Sequence, residues 1–141
     1  MLLRWWNERK WRYLPEHLRT GRRGEEAARR FLRRQGLQFV FANFKARRGE
    51  IDLIFRDQLS LVFVEVKTRS SEDWIRPAAA VDGDKERILS EAALQYLRLL
   101  GQPLISFRFD IVEVLMRDEI VGEIRHLPNA FPLSEPLRYL P

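Results

Sequence analysis

The chain of 141 residues contains no cysteine, only two histidines and no long apolar run. Without cysteine there is no disulfide, no thiolate-bound zinc, no iron–sulfur cluster and no thiol nucleophile. With His17 and His126 alone, a three-histidine metal site is excluded as well. Any metal would be held mainly by carboxylates and carbonyls, a donor set suited to Mg²⁺ or Mn²⁺. No stretch of eighteen apolar residues occurs, so no transmembrane helix and no integral membrane association are expected. The first eleven residues lack the apolar core of a signal peptide, and a cytoplasmic protein is the expectation.

What is abundant is charge, and it is unevenly placed. The formal net charge is +5. Residues 1–48 carry a balance of +10 and residues 49–141 a balance of −5. Such a split suggests a half that binds polyanions beside an acidic half. A charged, solvated helical surface would give the same count.

The length suits one domain with short appendages. We divide it into a basic, Trp-rich segment (1–20), a main domain (21–131) and an irregular tail (132–141). In the first segment Trp5, Trp6 and Trp11 interleave with Arg4, Arg9, Lys10 and Arg12. That pattern fits an arm packed on the domain, a nucleic-acid contact or a membrane-surface helix. A helix is predicted over 21–35, capped by Thr20 and closed by Gly36, with Ala28, Phe31, Leu32 and Gln35 on its apolar side. Strands follow over 37–44, 50–55 and 61–68, the last two joined as a hairpin. A polar loop is read over 69–77. The next helix is read from residue 81 or 84 to 100, with Ile88, Leu89, Ala92, Ala93, Tyr96 and Leu100 inward. Strands over 106–115 and 121–126 complete the order α-β-β-β-α-β-β, and residues from 127 on read as irregular. A helix between strands of one sheet makes a crossover, so the expected fold is α/β, a mixed central sheet flanked by helices.

The chemistry concentrates on the hairpin. Alternation places Phe63, Glu65 and Lys67 on one face of their strand. Glu50 and Asp52 share a face of the preceding strand, opposite Ile51 and Leu53 on that reading. In hairpin register, Asp52 and Glu65 converge with Lys67 beside them. Two carboxylates and an ammonium in an apolar sheet are costly unless compensated, and a divalent cation would compensate. Such a cation lowers the pKa of bound water and neutralises phosphodiester charge. Val-Glu-Val-Lys is also what an ordinary half-exposed strand looks like. Glu50, next to Gly49 at a strand start, reads as exposed. Asp110 reads as a structural partner of an arginine or of the sheet backbone, and His126 as hydrogen-bonded to a loop.

Gly49-Glu50-Ile51-Asp52-Leu53-Ile54, followed by Phe63-Val64-Glu65-Val66-Lys67-Thr68-Arg69, resembles the YraN family of small bacterial proteins. Gly21, Gly24-Glu25, Asn43, Lys85, Arg108-Phe109-Asp110-Ile111-Val112 and Asn129-Ala130-Phe131 support the match in order. That family is similar to the PD-(D/E)xK, restriction-endonuclease-like nucleases, and most like archaeal-type Holliday-junction resolvases. The resemblance implies a restriction-endonuclease-like sheet and a Mg²⁺- or Mn²⁺-dependent endonuclease for branched or structured DNA. It maps the metal-binding acids onto Asp52 and Glu65, the lysine onto Lys67 and an assisting helical acid onto Glu25. Ile51 stands where the motif's proline would be. The Gln-x-x-x-Tyr element of some relatives is absent, since Gln95 and Tyr96 are adjacent. Arg22, Arg23, Arg29, Arg69 and Lys85 are the expected nucleic-acid contacts. A homodimer and a helicase or recombination partner fit the same reading. The alternative is a non-catalytic nucleic-acid-binding adaptor with a nuclease-like fold.

Overall fold

The computed structural model describes residues 16–70 and 81–141. The Trp-rich stretch up to Pro15 and most of the polar loop over 69–77 lie outside the described residues. Helix α1 spans Glu16–Arg34, β1 Gln38–Lys45, β2 Glu50–Asp57 and β3 Ser60–Arg69. Helix α2 spans Gly83–Leu99, β4 Ser106–Arg117 and β5 Ile120–Phe131. The strands form one sheet in the order β1-β2-β3-β4-β5. β3 and β4 are parallel, joined through α2, and the other pairs are antiparallel. This is the mixed α/β sheet flanked by helices, consistent with a restriction-endonuclease-like fold.

The two helices serve separate apolar layers. Ala28 and Leu32, one turn apart on α1, pack with Leu53, Phe55, Val62, Val64, Val112 and Val114. Leu89, Ala92, Ala93 and Leu97 of α2 pack with Ile54, Phe63 and Phe109. The central strands are therefore buried on both faces, which explains their nearly continuous apolar sequence. Asp82 caps α2 by accepting the Lys85 N–H at 2.9 Å.

Four boundaries and faces differ from expectation. α1 begins at Glu16, so Thr20 lies inside the helix rather than at its cap. Gln35 is exposed beyond the end of α1. On α2, Leu94 and Leu97 are buried, while Leu100 is exposed because it is the C-cap and the chain turns at Gly101. β5 continues to Phe131, because the Asn129 backbone N–H is held by the Asp110 carboxylate at 2.9 Å. Among the described residues no helix is long and apolar enough to cross a membrane.

The sheet is not paired evenly. β1 and β2 pair as far as Lys45 opposite Glu50, and β3 and β4 as far as Arg69 opposite Leu115. β2 and β3 pair only between Leu53–Val64 and Asp57–Ser60. Beyond that point the sheet forks, with the β1–β2 end on one arm and the β3–β4 end on the other. The side-chain alternation skips at the same place. Leu53 and Ala42 belong to the α1 layer, whereas Ile51 and Phe44, two residues away in each strand, belong to the α2 layer. Ile51 and Leu53 thus do not share a face, contrary to expectation. Asn43 sits at the skip with φ 57°, a left-handed conformation that asparagine tolerates well.

The turn at the end of the β1–β2 arm rests on α2. Gly49 has φ 76°, and a Cβ added there would lie 2.3 Å from Ile88 Cγ2. Gly49→Ala is expected to lose about 2–3 kcal/mol of stability, from the left-handed backbone plus overpacking. Urea denaturation checks this, and Ile88→Ala in the same chain should relieve the packing part.

Candidate active site

Asp52 is the first residue of β2 beyond the paired segment, and Glu65 the first of β3. The Val66 N–H, which has lost its ladder acceptor on β2, donates to Asp52 Oδ2 at 2.8 Å. The carboxylate therefore closes the fork as a carbonyl would in a regular sheet. Burial pushes the Asp52 carboxyl up, and the Glu65 charge adds to it, to about 8. The Val66 N–H and the Lys85 charge act in the opposite direction.

Glu65 is buried, 5% exposed. Its Oε1 faces two ammonium groups, Lys67 Nζ and Lys85 Nζ, each at 3.5 Å. One comes from the same strand and the other from the first turn of α2. Its Oε2 is buried with no hydrogen-bond partner. A buried carboxylate oxygen without a hydrogen bond is expensive and calls for a partner; both oxygens of Glu113 are buried without one as well.

Two further acids stand at the fork. Asn43 Nδ2 donates to Glu25 Oε2 at 3.1 Å and to Glu50 Oε1 at 2.8 Å. One amide thus holds an α1 carboxylate and a β2 carboxylate together. Burial raises the Glu25 carboxyl, Asn43 lowers it, and the charges of Glu50 and Glu65 raise it again. Arg22 lies close enough to lower it in turn.

The structure therefore brings Asp52, Glu65, Lys67, Glu25 and Lys85 to one place, with Arg22 beside them. Three other expected nucleic-acid contacts have partners within the protein. Arg23 is engaged by the backbone oxygen and carboxylate of Glu119, at 3.0 and 3.3 Å. Arg29 lies over the Phe39 ring, 3.5 Å from its centroid. Arg69 Nε faces Glu113 Oε2 at 3.8 Å. Sequence reasoning dismisses Glu50 as exposed, yet it is partly buried and hydrogen-bonded. It also passes over Asn43's bridging role and over Glu113, fully buried opposite Lys67 in the parallel register. The signal for Glu113 is a lone acid inside the apolar run Ile-Val-Glu-Val-Leu.

The donor chemistry fits a hard divalent cation: Asp52 and Glu65 offer carboxylate oxygens, one of them buried and unsatisfied. Among the described residues, however, no group of three acidic or histidine ligands is drawn together closely enough to hold a metal ion.

A second polar cluster is separate from this one. Asp110, fully buried, accepts from Arg108 Nε at 2.9 Å and lies 2.7 Å from His126 Nε2. Arg108 also reaches Asp57 at 3.0 Å. Asp110 is thus a structural partner of Arg108 and the backbone, as expected, and His126 bonds to Asp110 rather than to a loop.

Fold and site together define a small mixed α/β domain whose sheet forks around a half-buried Asp52 and a buried Glu65 faced by two lysines. Within that class, residues 24–114 match the family model described as "Uncharacterised protein family UPF0102", and the chain belongs to this family. It is 43% identical over 118 residues to a UPF0102 protein of Desulfosudis oleivorans, covering 84% of this chain and 94% of the relative. It is 40% identical over 122 residues to one of Pelobacter propionicus, covering 85% and 87%. The match to UPF0102 protein GSU0650 of Geobacter sulfurreducens is 39% over 114 residues, covering 81% and 89%.

Proposed function

We propose that this protein is a Mg²⁺- or Mn²⁺-dependent DNA endonuclease. The observation that carries the reading is the buried, unsatisfied Oε2 of Glu65 beside Asp52. Asp52 and Glu65 would hold the cation, with Glu25 orienting groups around it. When bound, such a cation supplies charge neutralisation at the phosphodiester and a more acidic water. Lys67 and Lys85, both against Glu65 Oε1, are placed to turn their ammonium groups toward a phosphate oxygen. Branched DNA is the proposed substrate class, and a homodimer would present two such sites to it.

The test is incubation of four-way junctions and plasmid DNA with the protein and Mn²⁺. Wild type should cut, and Asp52→Asn and Glu65→Gln should each lose about 10²-fold or more, the size of removing one electrostatic contributor to a transition state. Cutting by Asp52→Asn at the wild-type rate sinks the reading. A second reading has its own support. It is a nucleic-acid-binding adaptor without catalysis, whose basic side chains Lys45, Arg47 and Arg48 are exposed. It is distinguished by DNA binding that ignores both Mn²⁺ and Glu65→Gln.

A further inference from the structure

The turn at the end of the β1–β2 arm carries Lys45, Arg47 and Arg48 within five residues and no acid before Glu50. All three side chains are exposed. The turn is anchored, not merely exposed. The Ala46 N–H donates to the Gly49 carbonyl at 3.1 Å, and the Arg47 N–H to Gln95 Oε1 of α2 at 2.8 Å. Arg48 lies 3.4 Å from Glu91, the same carboxylate that Arg87 approaches at 3.4 Å. Lys45 and the Arg47 side chain form no ion pair among the described residues. Lys45 lies opposite Glu50 in the register, and Glu50 is two residues, about 7 Å, from Asp52.

The long basic helix offers less. Its Arg23 is tied to Glu119, its Arg30 to Glu26, and its Arg29 and Arg33 lie against Phe39. We infer that the β1–β2 turn, through Lys45 and Arg47, is the principal contact among the described residues with the phosphate backbone of duplex DNA. Charge complementarity supports that occupant. The cations are exposed and held on a fixed turn, and they flank the carboxylates at which a backbone phosphate would have to arrive. The inference rests on the DNA reading above and names the surface that delivers DNA to the fork.

The experiment is fluorescence anisotropy of a labelled 30-base-pair duplex in EDTA, so that cleavage plays no part. Two charge-matched variants are compared: Lys45→Gln with Arg47→Gln, and Arg30→Gln with Arg34→Gln. The turn variant should bind about tenfold more weakly at 0.1 M salt. Its log affinity against log salt should flatten by about 1.8, the value expected when two phosphates are no longer neutralised. The helix variant should change less than about threefold. Lys45→Arg with Arg47→Lys, which keeps both charges, should bind as wild type does, and weaker binding by that chain overturns the phosphate assignment. Equal binding by the turn variant, or a larger loss in the helix variant, overturns this inference and leaves the nuclease reading standing. A wild-type chain that binds no duplex overturns this inference, while the nuclease reading stands or falls on the junction-cutting test with Mn²⁺.

Discussion

Asp52→Asn should melt higher than wild type by roughly 5–15 °C at pH 7.5 in EDTA. Asparagine keeps an oxygen to accept the Val66 N–H and needs no proton to be neutral in its partly buried position beside Glu65. The sign follows from linkage. The folded-state carboxyl is raised to about 8, while an unfolded aspartate stays near its usual value. Between those two values the folded chain binds more protons than the unfolded one, so stability falls as pH rises. The cost at neutral pH is on the order of 2–4 kcal/mol. The gap between Asp52→Asn and wild type should therefore be widest near pH 8 and close toward pH 4. Urea titrations at pH 4, 6 and 8 measure it. Parallel curves for the two proteins would show that Asp52 does not carry this strain. Millimolar Mn²⁺ should recover part of the lost stability in wild type and none in the variant, since binding to the folded form alone adds to stability.

Asp110→Ala should destabilise the protein by about 3–5 kcal/mol, the loss typical of breaking a buried ion pair from one side. The change orphans His126 and the Asn129 N–H and leaves Arg108 with Asp57 alone, so the sheet loses the contact that keeps the end of β5 paired. Burial acts to raise the Asp110 carboxyl, but His126, Arg108 and Asn129 outweigh it and hold it below the usual carboxylate range. The contribution of a depressed carboxylate is present above its unfolded pKa, near 4, and is lost as pH falls through the folded value. The penalty of Asp110→Asn should accordingly shrink below pH 4, whereas that of Asp52→Asn has the opposite sign and its pH dependence lies above pH 4. Circular dichroism melts from pH 3 to 7 separate the two.

The elements are legible because their signals are local. Ala28 and Leu32 mark one helical face, the Val-Phe-Val run of β3 a strand buried on both sides, and Gly101 a helix end. Asp52 and Glu65 can be paired from hairpin register alone. Local patterns stop working where the backbone departs from regularity. Nothing in Glu-Ile-Asp-Leu announces that alternation skips at Asp52, so the pattern puts Ile51 and Leu53 together, while the place of Glu50 beside Gly49 at a strand start makes it read as exposed. The skip falls level with Asn43, in another strand, which adopts a left-handed conformation. Lys85 has no partner legible in the sequence, because its approach to Glu65 depends on how far α2 carries the chain back. The arginines of α1 look available because their partners, Glu119 and Phe39, are tertiary neighbours. Leu100 has the spacing of an inward residue, and only the turn at Gly101 removes it from the helix.

The parallel pairing of β3 with β4 also sets an order of assembly. The β2–β3 hairpin needs only a two-residue connection, whereas Ser60 meets Ser106 across 46 residues of chain. Short-range closures form sooner than long-range ones. The hairpin thus brings Asp52 and Glu65 together with Lys67 while Lys85 is still far away, and the repulsion between the two acids is eased by one lysine only until α2 docks. Docking of α2 both completes the sheet and delivers the counter-charge, so late folding steps and completion of the site are one event. A chain stalled before that step would hold its two acids without their second lysine, and mildly acidic refolding buffer should speed its passage.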